Sequence, residues 1–120
     1  MLEIAKRVRI EAAHHLPRVP SGHPCSRVHG HSYVFELGVQ GETDESTGWI
    51  IDFADIGAAF EPVRASLDHQ LLNDVPGLEN PTCEVLARWV YDTVAEQLPQ
   101  LAWVRVSETE SSSCLYRPHA

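Results

Sequence analysis

The sequence predicts an α+β fold, an antiparallel sheet with two helices packed on one of its faces. Apolar residues alternate in segments near both ends of the chain, which is typical of strands with one buried face. Between these segments, apolar residues recur every three to four positions in two stretches, which is typical of amphipathic helices. The order is ββααββ, and two hairpins separated by helices favour a layered antiparallel sheet. At 120 residues the chain has the length of one ordinary domain, so we expect a single domain over residues 1–120.

Alternation places the four strands. The first is expected over residues 3–14 and the second over residues 29–40, and the Pro- and Gly-rich segment 16–27 between them favours a loop. Two later strands are expected over residues 102–109 and 114–117. The inward faces of the first two strands carry Val8, Ile10, Ala12 and His14, then His29, His31, Tyr33, Phe35, Leu37 and Val39.

Capping residues and apolar stripes predict the two helices. Asp52 is a suitable N-cap for the first helix, because its carboxylate can accept hydrogen bonds from the free N–H groups of the first turn. Pro62 is expected to kink this helix or divide it in two. The second helix is expected to begin near Asn80-Pro81-Thr82, where proline suits the first turn, and to end at Pro99. The two stripes comprise Phe53, Ile56, Phe60, Val63 and Leu67, then Val85, Leu86, Trp89, Val90, Val94 and Leu98.

Charge and cysteine usage exclude several classes of function. Nine Lys and Arg residues against 17 Asp and Glu residues give a formal net charge of −8, the opposite of a general nucleic-acid or anionic-membrane binder. We therefore expect no nucleic-acid partner and no membrane association, and no segment has the roughly eighteen apolar residues of a membrane span. Three widely spaced cysteines, and charges within the N-terminal segment, argue against a secreted disulfide protein, so a cytoplasmic location is expected.

Three of the seven histidines have the spacing of a metal site. His29 and His31 are two residues apart at the start of a strand, so their side chains point the same way. His14 ends the preceding strand on its inward face and meets the other two if these strands pair. Three imidazoles without a fourth protein ligand match a catalytic zinc site with one open position, although hydrogen-bonded core histidines are the alternative. The remaining candidates, in less suitable places, are His15, His23 and His119.

Cys25 lies four residues before His29, in the loop that leads to these histidines. A thiol near a dication loses its proton more readily, because the cation stabilises the thiolate. Spacing alone allows two interpretations: Cys25 is a fourth zinc ligand in a closed structural site, or an unligated base or nucleophile beside an open one. Cys83 and Cys114 lack metal-type spacing and are predicted to be small packing residues.

Two further groups are candidates for chemistry. Asp68 precedes His69, and a carboxylate can fix the tautomer of an imidazole and raise its basicity, although a solvated helix end is the simpler interpretation of this dipeptide alone. Glu108 continues the apolar face of the third strand, where a carboxylate needs paired donors or a ligand. Its shape suits the amidine-like edge of a guanine or pterin ring, unless the strand emerges into water at this point.

Five motifs occur in order along almost the whole chain, from residue 3 to about residue 117. They are Glu11-Ala12-Ala13-His14, Cys25-x-x-x-His29-Gly30-His31-Ser32-Tyr33, Leu67-Asp68-His69, Glu79-Asn80-Pro81-Thr82 and Glu108-Thr109. Each is weak alone, but five in order with compatible spacing are highly specific. Together they resemble the 6-pyruvoyltetrahydropterin synthase / 6-carboxytetrahydropterin synthase family. Residues 48–53 and 72–81 are similar to its bacterial 6-carboxy branch, which makes an intermediate of queuosine and other 7-deazapurines.

The resemblance implies a tunnelling fold. In this fold, ββααββ subunits assemble into trimers whose sheets form a barrel, and two trimers usually stack into a hexamer with active sites at the subunit interfaces. The resemblance also implies that 7,8-dihydroneopterin triphosphate is the substrate and that Zn²⁺ is the cofactor. The implied zinc ligands are His14, His29 and His31.

The same resemblance implies roles for the remaining site residues. Cys25 would accept a proton rather than ligate zinc, and Asp68 and His69 would return or relay it. Glu108 would hold the amino and ring N–H edge of the pterin and take part in the relay. Thr82 would contact the pterin, although a helix N-cap explains this residue equally well.

Two alternatives to the 6-carboxy reaction stay open. That reaction eliminates triphosphate and breaks a side-chain carbon–carbon bond to release acetaldehyde, whereas the 6-pyruvoyl reaction keeps all three carbons. Both need the same zinc, base and proton relay, so these residues do not separate them. A non-catalytic metal- or pterin-binding module, in which Cys25 closes the zinc shell, is the second alternative.

Overall fold

The computed structural model describes residues 1–118. It contains six main elements, which are β1 (Leu2–His14), β2 (His29–Gly41), α1 (Phe53–Leu67), α2 (Cys83–Ala95), β3 (Leu101–Thr109) and β4 (Ser112–Tyr116). Short 3-10 turns at Pro24–Ser26 and Leu72–Asp74 lie in the connecting segments. The predicted order ββααββ is confirmed.

The four strands form one antiparallel sheet in the order β1-β2-β3-β4. β1 and β2 pair without interruption along their whole length, from Leu2 opposite Gly41 to His14 opposite His29. The pairing of β2 with β3 shifts register at Gly38/Val39, and that of β3 with β4 shifts between Ser107 and Thr109. The predicted pairing of the first two strands is therefore confirmed, and it brings the ends that carry histidines together.

One face of the sheet is buried under both helices, and the opposite face carries charges. The core includes Tyr33, Phe35, Leu37 and Val39 of β2, packed with the inward residues of α1 and α2. The other face carries ion pairs between arginines and glutamates, such as Arg105 to Glu36 at 3.0 Å. This division is typical of an antiparallel sheet with one covered side. Neither helix within the described residues is long and apolar enough to cross a membrane.

Of the two outcomes expected at Pro62, the division of α1 into two pieces does not occur. α1 runs continuously through Pro62, with buried side chains both before it (Ile56, Phe60) and after it (Val63, Leu67). An interior proline costs about 3 kcal/mol through its lost hydrogen bond and ring clash. Burial of several large apolar side chains outweighs this cost, at about 1.5–3 kcal/mol each. The expectation that Phe53 faces the core is also wrong, since Phe53, the first residue of α1, is 50% exposed.

α2 also differs from its predicted boundaries. It begins at Cys83 with Thr82 as N-cap, so Pro81 precedes the cap instead of lying in the first turn. It ends at Ala95 rather than at Pro99. Leu98 is nevertheless buried, and its N–H donates to the Val94 carbonyl oxygen at 3.0 Å, so the chain continues the turn beyond the helix end. Of the predicted stripe, Leu86, Val90, Val94 and Leu98 are buried, whereas Val85 and Trp89 are half-buried against the core.

Gly38 is required by the close approach of Trp103 across the β2–β3 pair. A Cβ atom at Gly38 would lie 2.0 Å from Cε2 of the indole, a distance that side chains never adopt. The indole is held in place because its Nε1–H donates to the Glu3 carboxylate, which also accepts from Gln40 Nε2 at 2.6 Å. The ring therefore cannot move aside without breaking this contact.

We predict that Gly38→Ala lowers the free energy of unfolding by about 2 kcal/mol or more, because the indole must move. Urea denaturation of the metal-free protein measures this effect. Gly30→Ala in the same strand is the matched control, since its Cβ meets only the Ala12 carbonyl oxygen at an ordinary 3.6 Å. Equal stability of the two variants would contradict the prediction.

Candidate metal and catalytic site

The uninterrupted β1–β2 register brings the three predicted histidines together at one end of the sheet. His14 is directly opposite His29, and His31 is opposite Ala12, two residues before His14. The three ring centroids are 4.5 to 5.1 Å apart. One ligand nitrogen from each ring lies within 4.8 Å of the others, and this cluster of potential ligands among residues 1–118 does not include Cys25.

Backbone carbonyls determine the tautomers of His14 and His29. Nδ1 of His14 is 2.9 Å from the carbonyl oxygen of Pro81, and Nδ1 of His29 is 2.7 Å from that of Arg27. Because a carbonyl oxygen only accepts, both Nδ1 atoms carry hydrogen and both Nε2 atoms carry a lone pair. These two Nε2 atoms face each other at 2.9 Å. Two facing lone pairs at that distance repel each other unless a proton or a metal ion lies between them.

His31 completes the same donor set. Its Nε2 atom is buried and has no hydrogen-bond partner within residues 1–118. Burial lowers the pKa of His31 and of His14, which favours the neutral imidazole. Neutral imidazoles are the form that binds metal ions. The donor set therefore fits a late transition metal such as zinc.

Glu108 lies next to this cluster, at the register shift near the end of β3. Its Oε2 atom is 3.9 Å from Nε2 of His31, and its side chain is only 24% exposed. Glu108 continues the face of Val104 and Val106, as the alternation of β3 predicts, and the pairing of β3 with β4 shifts register at this point. Glu108 also borders a cavity of about 230 Å³ lined by Cys83, Glu84, Ser112, Ser113 and Cys114. Burial, reinforced by the nearby Glu108 carboxylate, raises the pKa of Cys83 to about 12.

Asp68 and His69 contact each other at the outer edge of β1. Nδ1 of His69 is 3.2 Å from Oδ1 of Asp68, and this oxygen also accepts from the N–H of Glu11 at 2.9 Å. That backbone hydrogen bond is the main cause of the lowered pKa of Asp68. The His69 side chain is 76% exposed, and the residue lines a cavity of about 550 Å³ together with His31. The structure thus connects the Asp68–His69 pair to the histidine cluster through one cavity.

His69 has a left-handed backbone, with φ of 60°, which is unusual for a residue other than glycine. This conformation turns the chain after α1 so that the His69 N–H donates to the Glu11 carbonyl oxygen at 2.6 Å. Backbone strain of this kind is common at functional sites.

The remaining predicted site residues have mainly local contacts. Cys25 is half-buried in the 3-10 turn, where its carbonyl oxygen accepts from the Leu16 N–H at 2.8 Å and its own N–H donates to Nδ1 of His23 at 3.0 Å. Thr82 caps α2, with its Oγ1 accepting from the Val85 N–H at 3.1 Å. Cys83 and Cys114 pack against the core, and His119 lies outside the described residues.

Comparison with known proteins identifies the family. A family model described as 6-pyruvoyl tetrahydropterin synthase matches residues 3–119. The chain belongs to this family. A solved structure of 6-pyruvoyl tetrahydropterin synthase from Caenorhabditis elegans superposes with a TM-score of 0.89 at 23% identity, over 97% of this chain and 94% of that one. The predicted tunnelling fold is therefore confirmed.

Bacterial members of the 6-pyruvoyl tetrahydropterin synthase family are similar over nearly the full length. A Bacillus subtilis protein named 6-carboxy-5,6,7,8-tetrahydropterin synthase is 37% identical over 97% of this chain and 85% of its own length. A Synechocystis protein of the same name is 39% identical over 94% of this chain and 91% of its own length. Human 6-pyruvoyl tetrahydrobiopterin synthase is 34% identical over 74% of this chain and 66% of its own length.

Two groups that contact the histidines were missed by sequence reasoning. The Pro81 carbonyl oxygen and the Tyr33 hydroxyl are both within hydrogen-bond distance of Nδ1 of His14, at 2.9 and 3.1 Å. Pro81 was assigned to a helix turn, and a backbone carbonyl leaves no mark in a sequence. Tyr33 did leave one: it is a hydroxyl on an otherwise apolar strand face, and a buried hydroxyl needs a partner.

We predict that His69→Gly raises the free energy of unfolding by about 0.5–1 kcal/mol, because glycine adopts the left-handed backbone without strain. His69→Ala removes the same side chain but keeps the strained backbone, so no gain is expected. Urea denaturation of both metal-free variants separates the two cases. A gain of the same size in His69→Ala, or a loss in His69→Gly, would refute the assignment of strain.

Proposed function

We propose that this chain is a zinc-dependent lyase that converts 7,8-dihydroneopterin triphosphate and one water molecule to 6-carboxy-5,6,7,8-tetrahydropterin, acetaldehyde and triphosphate. The observation that carries the proposal is the convergence of three imidazoles, one ligand nitrogen of each lying within 4.8 Å of the others. The two bacterial relatives named for this product support the choice of reaction. The proposal treats residues 1–120 as one pterin synthase domain that acts in the cytoplasm, in queuosine and 7-deazapurine biosynthesis.

The three histidines are the proposed zinc ligands, with one position left for substrate. When bound, zinc acidifies the hydroxyl groups of the substrate side chain and polarises the carbonyl group that forms there. His14 and His29 are oriented for this task by their Nδ1–H bonds to backbone carbonyls, which keep each Nε2 lone pair available.

Cys25, Asp68 and His69 are the proposed proton-transfer residues. Cys25 lies outside the histidine cluster, which supports its assignment as proton acceptor rather than ligand. Asp68 holds Nδ1 of His69 at 3.2 Å, so the exposed Nε2 of this ring is free to give or take a proton at the cavity that it shares with His31.

Glu108 and Thr82 are the proposed pterin contacts. A carboxylate can accept two parallel hydrogen bonds from the amino group and ring N–H of a pterin. Glu108 is only 24% exposed and borders a cavity of about 230 Å³, which supports this assignment. Thr82 is the N-cap of α2 and directly precedes Cys83, which lines that cavity. The Thr82 oxygen caps the helix, so its hydroxyl hydrogen stays available for a ligand.

We further propose that the active protein is a trimer or a hexamer. Within residues 1–118, the outer edge of β1 has only a single bridge, from Ala13 to Leu71, and β4 has no strand on its outer side. Unpaired sheet edges are templates for pairing with another chain.

Native mass spectrometry is expected to give three or six times the mass of one chain. A monomer at micromolar concentration would contradict this assembly.

The 6-pyruvoyl reaction is the second candidate. Human and Dictyostelium discoideum relatives named 6-pyruvoyl tetrahydrobiopterin synthase are 34% and 33% identical to this chain. The proposed zinc, proton-transfer and pterin residues would serve either reaction. The products differ by the carbon–carbon bond that is kept or broken, so product analysis separates them.

We predict that zinc-loaded protein, given 7,8-dihydroneopterin triphosphate without any reductase, forms 6-carboxytetrahydropterin and acetaldehyde, as measured by mass spectrometry. A 6-pyruvoyl product without acetaldehyde would move the assignment to the second candidate. Unchanged substrate would refute the enzyme and favour a metal- or pterin-binding module.

Cys25→Ala tests the proposed proton acceptor in the same assay. We expect it to keep zinc and to lose turnover by about 100-fold or more, the usual size of a general acid–base contribution. Ser26→Ala in the same turn is the control and keeps both properties. Loss of zinc and of folding in Cys25→Ala would instead make Cys25 a structural ligand.

A further inference from the structure

We propose that Tyr33 is a positioning residue for the metal site, because its hydroxyl and its ring hold His14 and His31 in the arrangement that binds the ion. This inference rests on the metal site proposed above. It concerns a residue that contacts two proposed ligands without joining the cluster of ligand atoms itself.

The hydroxyl of Tyr33 acts on the tautomer and orientation of His14. Its Oη atom is 3.1 Å from Nδ1 of His14, and the Pro81 carbonyl oxygen is 2.9 Å from the same nitrogen. The Pro81 carbonyl oxygen can only accept, so Nδ1 of His14 carries a hydrogen. This N–H is shared between two acceptors from different parts of the chain, the Pro81 carbonyl oxygen and the Tyr33 hydroxyl oxygen. Two acceptors restrict rotation of the imidazole about its Cβ–Cγ bond more than one acceptor does, so Nε2 keeps its direction.

The ring of Tyr33 acts on both histidines through packing. It meets the His31 ring edge-on at 5.3 Å and the His14 ring edge-on at 5.9 Å. On its other side it stacks on Phe35 at 6.2 Å, and Phe35 contacts Phe60 of α1 at 5.4 Å. The two imidazoles are thus packed against a rigid aromatic row that reaches into the core.

Packing alone does not explain a tyrosine at this position. Tyr33 has no exposed surface, and a phenylalanine would fill the same space without burying a hydroxyl. A buried hydroxyl costs free energy unless it is hydrogen-bonded, and its partner here is the proposed ligand His14. Ligands held in place before binding lose less freedom when the ion arrives, which increases affinity.

Tyr33→Phe tests this role, with Tyr91→Phe as the matched control. Tyr91 likewise has a hydrogen-bonded hydroxyl, which donates to the Leu101 carbonyl oxygen at 3.1 Å, but this tyrosine is half-buried and lies on α2 against Tyr116, away from the histidines. We expect Tyr33→Phe to bind zinc at least tenfold more weakly in competition with a chromophoric chelator. Loss of the hydrogen-bond partner of a metal ligand typically lowers metal affinity by about 10–100-fold. We expect the affinity of Tyr91→Phe to be unchanged, although both variants lose stability when metal-free.

Cobalt substitution gives a readout that general destabilisation would not change. The visible spectrum of bound Co²⁺ depends on ligand geometry, so it should shift in Tyr33→Phe and match wild type in Tyr91→Phe. Wild-type affinity and spectrum in Tyr33→Phe would overturn the inference, as would an equal loss of affinity in Tyr91→Phe. If either of these outcomes occurs while His31→Ala loses zinc in the same assay, the role of Tyr33 is refuted but the proposed metal site is not. If wild type itself binds no zinc, the metal site and the inference both fail.

Discussion

The facing lone pairs of His14 and His29 are the constraint on which the rest of the site depends. They meet because the last residue of β1 lies opposite the first residue of β2. A slip of one residue would send every side chain of the strand to the other face, so the apolar alternation of β1 and β2 also keeps the three histidines of the proposed metal site together. The free energy gained by burying Phe35, Leu37 and Val39 therefore also opposes separation of the histidines.

The segment between α1 and α2 closes the site from the other side. It has little regular structure, yet its bonds to the end of β1 hold it firmly. The Asn73 side chain accepts from the His15 N–H at 3.0 Å and donates to the His15 carbonyl oxygen at 2.8 Å, which replaces a missing strand partner. Pro81 then reaches His14 from the same segment. A connection between helices thus contributes to the proposed metal site.

The proposed chemical groups outside the histidine cluster lie where regular structure ends. Glu108 follows a register shift in β3, and His69 has a left-handed backbone just after α1. Each of these two residues borders a cavity, His69 together with His31 and Glu108 together with Cys83. In this member of the 6-pyruvoyl tetrahydropterin synthase family, local departures from ideal geometry and the proposed chemistry therefore coincide.

The sequence by itself determined the order of elements, the inward faces and the meeting of His14, His29 and His31. These follow from periods of two and of three to four residues, which are local, and from the antiparallel pairing of two strands that are consecutive along the chain, joined by the loop of residues 15–28. Tertiary structure alone decided that α1 continues through Pro62, that Asp68 contacts His69 and that Pro81 orients His14. The last contact joins residues 67 positions apart through a backbone carbonyl. No residue pattern encodes such a contact, because every residue has the same carbonyl and only packing of the whole chain aims it.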